Sequence, residues 1–185
     1  IGNGFSNDAL KILKKKKNLR IIDASNFTIN NLISFNSTNE TILSQYEDIK
    51  KFNPKDFKVV SKKKPNKSQL KNLIFAFNIC RYVKSNAIVL ASEETTVGIG
   101  SGQPSRLDSC QIAIDKMNRF INPKKNIVAA SDAFFPFTDN IKLLIKNNCS
   151  SIVQPKGSIN DKKIIDYVNK KNISLYFTNY RLFKH

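Results

Sequence analysis

Residues 126–140, which read NIVAASDAFFPFTDN, decide the fold. Their first part, residues 127–130, is entirely apolar, and a short apolar run of this kind is typical of a buried strand. Asp139 then precedes apolar residues between 141 and 145 whose spacing indicates one face of a helix. We expect Asp139 to be the N-cap of that helix, so the stretch predicts a strand, an aromatic loop and a capped helix.

The loop between this strand and this helix combines aromatic and acidic side chains. Phe134, Phe135 and Phe137 lie between Asp132 and Asp139. In open α/β sheets, ligands bind beyond the carboxyl ends of the strands, which makes the loop a candidate wall of a binding site. Burial in the core is the more common role of a single phenylalanine, so both interpretations stay open.

Predicted strands and helices alternate on both sides of this stretch. We expect strands at 19–24, 57–61, 87–91, 95–100, 151–154 and 173–177, and helices at 6–17, 68–83, 105–120 and 160–171, the first of them capped by Ser6. Residues 26–56 are the least regular part, and their short apolar pieces predict strands joined by loops. The alternation in the second half predicts an α/β fold, with helices on the faces of parallel strands.

A glycine-rich segment, VGIGSGQPSR at 97–106, holds three of the six glycines of the chain, Gly98, Gly100 and Gly102. A backbone without side chains, followed by a helix N-terminus, allows an anionic ligand to approach closely. A bulged strand with a tight turn explains the same spacing equally well. The segment matches neither the dinucleotide fingerprint nor the P-loop.

The last eight residues, TNYRLFKH, contain Arg181, Phe183 and His185, the one histidine of the chain. A frayed tail is the ordinary interpretation of a terminal segment. If the segment folds back beside the glycines, it supplies an anion-binding guanidinium, an aromatic surface and a titratable group. Residues 84–86 and 154–158 likewise fit either turns or a site.

The formal net charge is +17, with 31 Lys and Arg residues against 14 Asp and Glu residues. Such a charge ordinarily favours a polyanionic partner. The lysines are spread over nearly every predicted helix instead of being clustered with aromatic residues, so we expect no specific nucleic-acid binding. An arginine kept in such a lysine-rich chain indicates a need for its planar guanidinium.

The three cysteines, at positions 80, 110 and 149, stand in apolar surroundings without CxxC spacing. This argues against a disulfide framework and a zinc site, and we expect buried thiols. No apolar run approaches the roughly 20 residues that cross a bilayer, so we expect no membrane partner and a cytoplasmic location. Because the chain begins at Ile1, we expect it to be a piece of a longer protein.

Five motifs, in order along the chain, resemble one known family. They are VKSNAIVLA at 83–91, TVGIGSGQPSRLDS at 96–109, SDAFFPFTDN at 131–140, QPKGSINDKKIID at 154–166 and FTNYRLFKH at 177–185. Together with ALKILKKKKNLRII at 9–22, they are similar to the C-terminal part of the transformylase domain in the AICAR formyltransferase/IMP cyclohydrolase family. The resemblance covers most of residues 1–185, is weakest at 26–56, and includes no IMP cyclohydrolase domain.

The resemblance implies a cytidine-deaminase-like three-layer α/β/α sandwich with a mixed sheet and no zinc. It implies formyl transfer from the co-substrate 10-formyl-tetrahydrofolate to AICAR, which gives FAICAR in purine biosynthesis, within a homodimer. A potassium ion is a further candidate cofactor. By position it implies Asn86 and His185 as catalytic residues, and substrate or folate contacts at Gln103, Arg106, Phe134, Phe135, Asp139, Arg181 and Phe183.

The family's principal catalytic pair, an adjacent lysine and histidine, belongs by this resemblance to a portion that precedes Ile1. We therefore expect the chain to supply part of a transformylase site instead of a complete enzyme. Two alternatives stay open. One is a non-catalytic remnant that acts as a structural or dimerisation domain, and the less favoured one is a basic nucleic-acid-binding module.

Overall fold

The computed structural model describes residues 1–27, 33–47, 50–120 and 126–184. The chain divides into two compact units, Ile1–Glu47 and Asp48–His185. In the described residues, no helix is long and apolar enough to cross a membrane.

The first unit contains one short helix and one β-hairpin. Helix α1 covers Asn7–Leu13, and its N-cap is Ser6, as predicted, because the Ser6 hydroxyl accepts a hydrogen bond from the Ala9 N–H at 3.2 Å. Strands β1, Ile33–Ser37, and β2, Ile42–Tyr46, pair in antiparallel fashion. The prediction of strands joined by a loop between 26 and 56 is confirmed here, while 28–32 and 48–49 lie outside the described residues.

Two predictions for the first unit are wrong. Helix α1 ends at Leu13 instead of extending to residue 17, because the four lysines that follow repel one another and offer no apolar face for packing. Residues 19–24 form no strand and make only an isolated bridge, between Gly2 and Asp23. Leu19 and Ile22 are 44% and 52% exposed, so these apolar side chains are not buried in a core.

The second unit is built on a six-stranded mixed sheet. Its strands are β3 (Phe57–Val59), β4 (Ile88–Ser92), β5 (Thr95–Gly100), β6 (Ile127–Ser131), β7 (Cys149–Pro155) and β8 (Ser174–Thr178). They lie in the order β3-β8-β7-β6-β4-β5. As predicted for the second half, β6, β7 and β8 are parallel, whereas β4 pairs antiparallel to β6 and to β5, and β3 pairs antiparallel to β8.

Helices cover both faces of this sheet. They are α2 (Lys67–Cys80), α3 (Arg106–Phe120), α4 (Asp139–Lys146) and α5 (Asp161–Lys170). On one face Phe77 of α2 packs in a cluster with Val128 of β6. On the other face Ile114 of α3 and Ile164 of α5 pack in a cluster with Ile127 of β6. Because alternate strand residues face opposite sides, neighbouring Ile127 and Val128 enter different cores, and the unit has three layers.

The start of α4 differs from the prediction. Thr138 is the N-cap and makes no side-chain capping bond, whereas Asp139 is the first helical residue. The Asp139 carboxylate accepts a hydrogen bond from the Asn140 N–H at 2.8 Å. An acidic residue is favourable throughout the first helical turn, so Asp139 did mark the start of a helix, but the predicted start was one residue too late.

Candidate functional site

Buried polar side chains lie where the three parallel strands end. Asp132, which follows β6, and Gln154, near the end of β7, are fully buried, and Thr178 at the end of β8 is 2% exposed. Because β6, β7 and β8 run parallel, these residues share one edge of the sheet. Ligands in open α/β sheets bind at this edge, which makes it the candidate functional site.

The glycines of the 97–106 segment serve packing more than ligand approach. A β-carbon on Gly98 would overlap the Ala113 carbonyl, and one on Gly100 would overlap the Ser109 carbonyl, both of which belong to α3. Only Gly102 has a left-handed backbone, with φ +67°, as a turn requires. At Gly98 and Gly100 the structure therefore shows a role that neither interpretation included, which is close contact between helix and strand.

Asn86 ties the loop before β4 to the segment before α3. Its side-chain amide donates hydrogen bonds to the main-chain oxygens of Gln103 at 2.9 Å and Pro104 at 3.1 Å. The main-chain oxygen of Asn86 accepts a hydrogen bond from the Ser109 hydroxyl at 2.7 Å. Asn86 is half-buried, and these bonds hold it at the edge of the sheet.

Asp132 and Arg106 form an ion pair at the same edge. Arg106 Nη2 donates to Asp132 Oδ1 at 3.0 Å, and the two side chains are 13% and 0% exposed. The Ser85 hydroxyl donates to the other oxygen, Asp132 Oδ2. A buried carboxylate is stable only with such partners, since an unpaired buried charge is costly.

The C-terminal segment folds back onto this edge. The Leu182 N–H donates to the main-chain oxygen of Asp132 at 2.9 Å, and the Lys184 main-chain oxygen accepts from the Ser85 N–H at 2.9 Å. Leu182 is buried, at 3% exposure. The described part of the segment is therefore docked instead of frayed, and it places Arg181 beside the loop that follows β6.

Arg181 stacks on Phe134. Its Cζ atom lies 4.8 Å from the centroid of the Phe134 ring, within the range of a cation–π interaction. Gly157, with φ +116°, lies alongside, and a β-carbon there would stand 3.4 Å from Arg181 Nη2. Arg181 is exposed, so its guanidinium remains accessible to an anion while the aromatic ring orients it.

The other predicted site residues have different surroundings. Phe135 is fully buried in the core, and its N–H donates to Gln154 Oε1 at 3.3 Å. Asp139 is exposed on the first turn of α4, and Phe183 is 39% exposed. The Gln103 side chain donates to the Ser101 main-chain oxygen at 3.1 Å. His185 lies outside the described residues.

The cysteines are buried thiols, as predicted. Burial raises the pKa of Cys110 and of Cys149 to about 12, and it raises the pKa of Cys80 well above its usual value. Such thiols stay protonated and unreactive at neutral pH. Among the residues the structure describes, no group of three or more His, Cys, Asp or Glu side chains is placed to hold a metal ion.

Comparison with known proteins decides the family. The model of the AICARFT/IMPCHase bienzyme family matches residues 1–116. The chain belongs to this family. It is 42% identical to the bifunctional purine biosynthesis protein PurH of Lactobacillus acidophilus over 196 residues, which cover 100% of this chain and 36% of the relative.

Other relatives of this AICARFT/IMPCHase chain are also about three times as long as the chain. PurH of Buchnera aphidicola subsp. Baizongia pistaciae is 44% identical across 98% of the chain and 35% of the relative. PurH of Wigglesworthia glossinidia brevipalpis is 43% identical across 96% of the chain and 34% of the relative. The chain thus spans about a third of the length of the curated relatives it matches, and the names of these relatives assign those proteins to purine biosynthesis.

Two residues of the candidate site were not named as site residues from the sequence. Ser85 belonged to a segment that fits either a turn or a site, and Asp132 was noted as an acid that flanks the phenylalanines, yet the two side chains bond each other at this edge. The available signal was a polar residue close to the end of a buried strand, since Asp132 directly follows β6 and Ser85 lies three positions before β4. Their pairing, across 47 positions of the chain, becomes visible only in three dimensions.

Proposed function

We propose that this chain supplies part of the substrate and folate site for formyl transfer from 10-formyl-tetrahydrofolate to AICAR, which gives FAICAR. The observation that carries the proposal is the docking of the C-terminal segment through the Leu182 N–H on the Asp132 oxygen. That docking brings Arg181 to the edge of the sheet where Asn86, Arg106 and Phe134 also lie. Membership of the AICARFT/IMPCHase family and the name of the PurH relatives support the same reaction.

Three of these side chains suit particular parts of this chemistry. The exposed guanidinium of Arg181 is suited to the phosphate of AICAR, which it can bind through two parallel hydrogen bonds. The Phe134 ring is suited to stacking against the flat pterin of the folate. Asn86 suits a carboxamide or amine, and its two amide hydrogen bonds fix the orientation of the side chain.

Formyl transfer to an aromatic amine needs a proton acceptor and stabilisation of a tetrahedral oxyanion. Within the chain we assign His185 to proton acceptance and the Asn86 side-chain oxygen to orienting the amine, because both N–H groups of the Asn86 amide already donate to main-chain oxygens. We assign the family's adjacent lysine and histidine to the rest of the protein. Because the relatives are about three times as long, the complete reaction is proposed for the assembled protein, as a homodimer. A cytidine-deaminase-like sandwich and a potassium ion belong to the same proposal.

Ligand-dependent unfolding of the purified chain tests the proposal. A ligand at about 100 times its dissociation constant stabilises a protein by about 2.7 kcal/mol. Each kcal/mol raises the unfolding midpoint by about 2 to 4 °C for a chain of this size. We expect AICAR and a non-reactive folate analogue to raise the midpoint at physiological salt. Arg181→Ala should abolish the AICAR shift, and Phe134→Ala should abolish the folate shift.

The matched control is Lys170→Ala, at an exposed lysine of α5, which should leave both shifts unchanged. Heparin serves as the polyanion control, because attraction to the net charge alone weakens as salt is raised. A shift seen only with heparin, and only at low salt, would contradict the proposal. That result would favour the remnant of the fold that acts as a structural domain.

A further inference from the structure

One residue makes hydrogen bonds to three of the segments that form the candidate site. The Asp132 carboxylate accepts from Arg106 Nη2 at 3.0 Å and from the Ser85 hydroxyl. Its main-chain N–H donates to the Ala87 oxygen at 3.2 Å, and its main-chain oxygen accepts from the Leu182 N–H at 2.9 Å. Asp132 therefore connects the end of β6 with the loop before β4, the start of α3 and the C-terminal segment.

Each of these partners is a candidate site residue or its neighbour in the chain. Arg106 is bonded directly, Ser85 and Ala87 flank Asn86, and Leu182 follows Arg181. Asp132 itself is fully buried, whereas Asn86 is half-buried and Arg181 is exposed. Asp132 is thus less accessible to a ligand than these two candidate side chains.

The carboxylate is also what fixes Arg106. Within the part of the chain that the structure describes, the bond to Asp132 is the one hydrogen bond of the Arg106 side chain, and Arg106 Nε is buried without a partner. Stability alone gives little reason for such an arrangement, because apolar residues of similar volume often stabilise a core as well as a buried ion pair does. A buried ion pair is explained better if it holds a ligand-binding side chain in place, because binding sites depend on preorganised side chains.

We propose that Asp132 is a positioning residue that holds Arg106 in the orientation in which the site binds its anionic ligand. The inference rests on the proposed function for the identity of the ligand. The orientation of Arg106 itself, however, is a property of the ligand-free chain. The two parts therefore have separate tests.

The first test needs no ligand. The chain contains only five arginines, so the NMR signals of the side-chain Nε–H groups can be assigned, with Arg106→Gln identifying the signal of Arg106. We expect this signal to be protected from solvent exchange in the native chain and to be lost in Asp132→Asn. The control Asp115→Asn removes a carboxylate of α3 that bonds Gln111, and it should leave the signal in place. An unchanged Arg106 signal in Asp132→Asn would overturn the inference, whatever the chain binds.

The second test is a double-mutant cycle on the affinity for AICAR and for the folate analogue. We expect Asp132→Asn to weaken the ligand that Arg106 binds by roughly tenfold or more, since a displaced binding group loses its geometry. In the Arg106→Gln background, Asp132→Asn should cause less than a twofold further loss, because the group that it positions is already absent. Equal losses in both backgrounds, or a change in unfolding temperature without any change in affinity, would overturn the inference.

The double variant also allows the test to be made if Asp132→Asn alone does not fold. Asp132→Asn alone leaves Arg106 without its charged partner, which destabilises the core, whereas Asp132→Asn with Arg106→Gln leaves no unpaired charge. If the single variant does not fold, the affinities of Arg106→Gln and of the double variant can still be compared. Their difference measures whether Asp132 affects ligand affinity independently of Arg106. If the native chain binds neither ligand, the proposed function fails, and the NMR test still decides the role of Asp132.

Discussion

The carbonyl oxygen of Ser109 occupies the space where a β-carbon on Gly100 would stand. Ser109 lies in the first half of α3 and Gly100 ends β5, so the helix backbone rests directly on the strand backbone. This contact sets the height of α3 above the sheet. It thereby sets the position of Arg106, the first residue of α3, relative to Asp132.

Gly100→Ala is expected to lower the free energy of unfolding by about 1 to 3 kcal/mol, because the added methyl group forces helix and strand apart. Urea denaturation of the purified chain measures the change. Thr95→Ala, at an exposed position of the same strand, is the control and should change the free energy by no more than about 0.5 kcal/mol. Equal effects of the two substitutions would show that α3 adapts to the methyl group.

Phe77→Ala should lower the free energy of unfolding by about 3 to 5 kcal/mol, because it empties a fully buried position. The ring contacts Phe52 and Phe57 edge-on, with centroids 4.9 Å and 5.5 Å away. Thermal or urea unfolding measures the loss. Phe137→Ala, at a ring that is 63% exposed, should cost less than about 0.5 kcal/mol, and a large loss there would contradict the assigned burial.

Stability should fall as the pH rises from about 9 toward 12. Burial raises the pKa of Cys110 and Cys149 to about 12, so between their ordinary pKa and 12 these thiols ionise only in the unfolded chain. The unfolded state then binds fewer protons than the native state, and each such thiol lowers the free energy of unfolding by about 1.4 kcal/mol per pH unit.

Urea denaturation across this pH range checks the cysteine prediction against a variant that carries Cys110→Ala and Cys149→Ala. The variant starts from lower stability because it has two small cavities, so the slopes are compared and not the absolute values. All other ionisable groups, Cys80 among them, are present in both proteins, so their contributions cancel in the comparison. Identical slopes would mean that the two thiols ionise equally in the folded and unfolded chain.

Elements whose pattern is local were predicted well. The hairpin of β4 and β5, separated by Glu93 and Glu94, and helix α3 follow from apolar runs and turn residues within a few positions of one another. The apolar pattern at 19–24 was misleading, because a strand forms only where a neighbouring strand provides hydrogen-bond partners. Residues 19–24 have only one such contact, the bridge between Asp23 and Gly2. The family motifs gave the candidate residues, whose ligand contacts stay predictions.

The sequence by itself determined the fold class, the alternation of strands and helices, the buried thiols and the family. These properties depend on side-chain periodicity and on motifs that are contiguous in the chain. Only the tertiary structure decided that Gly98 and Gly100 serve packing, that the described C-terminal segment docks, and that Asp132 bonds both Ser85 and Arg106. These contacts join residues that are apart in the chain, so they form only when the sheet and its helices assemble, and the polar ones are favoured because most buried polar groups need a hydrogen-bond partner.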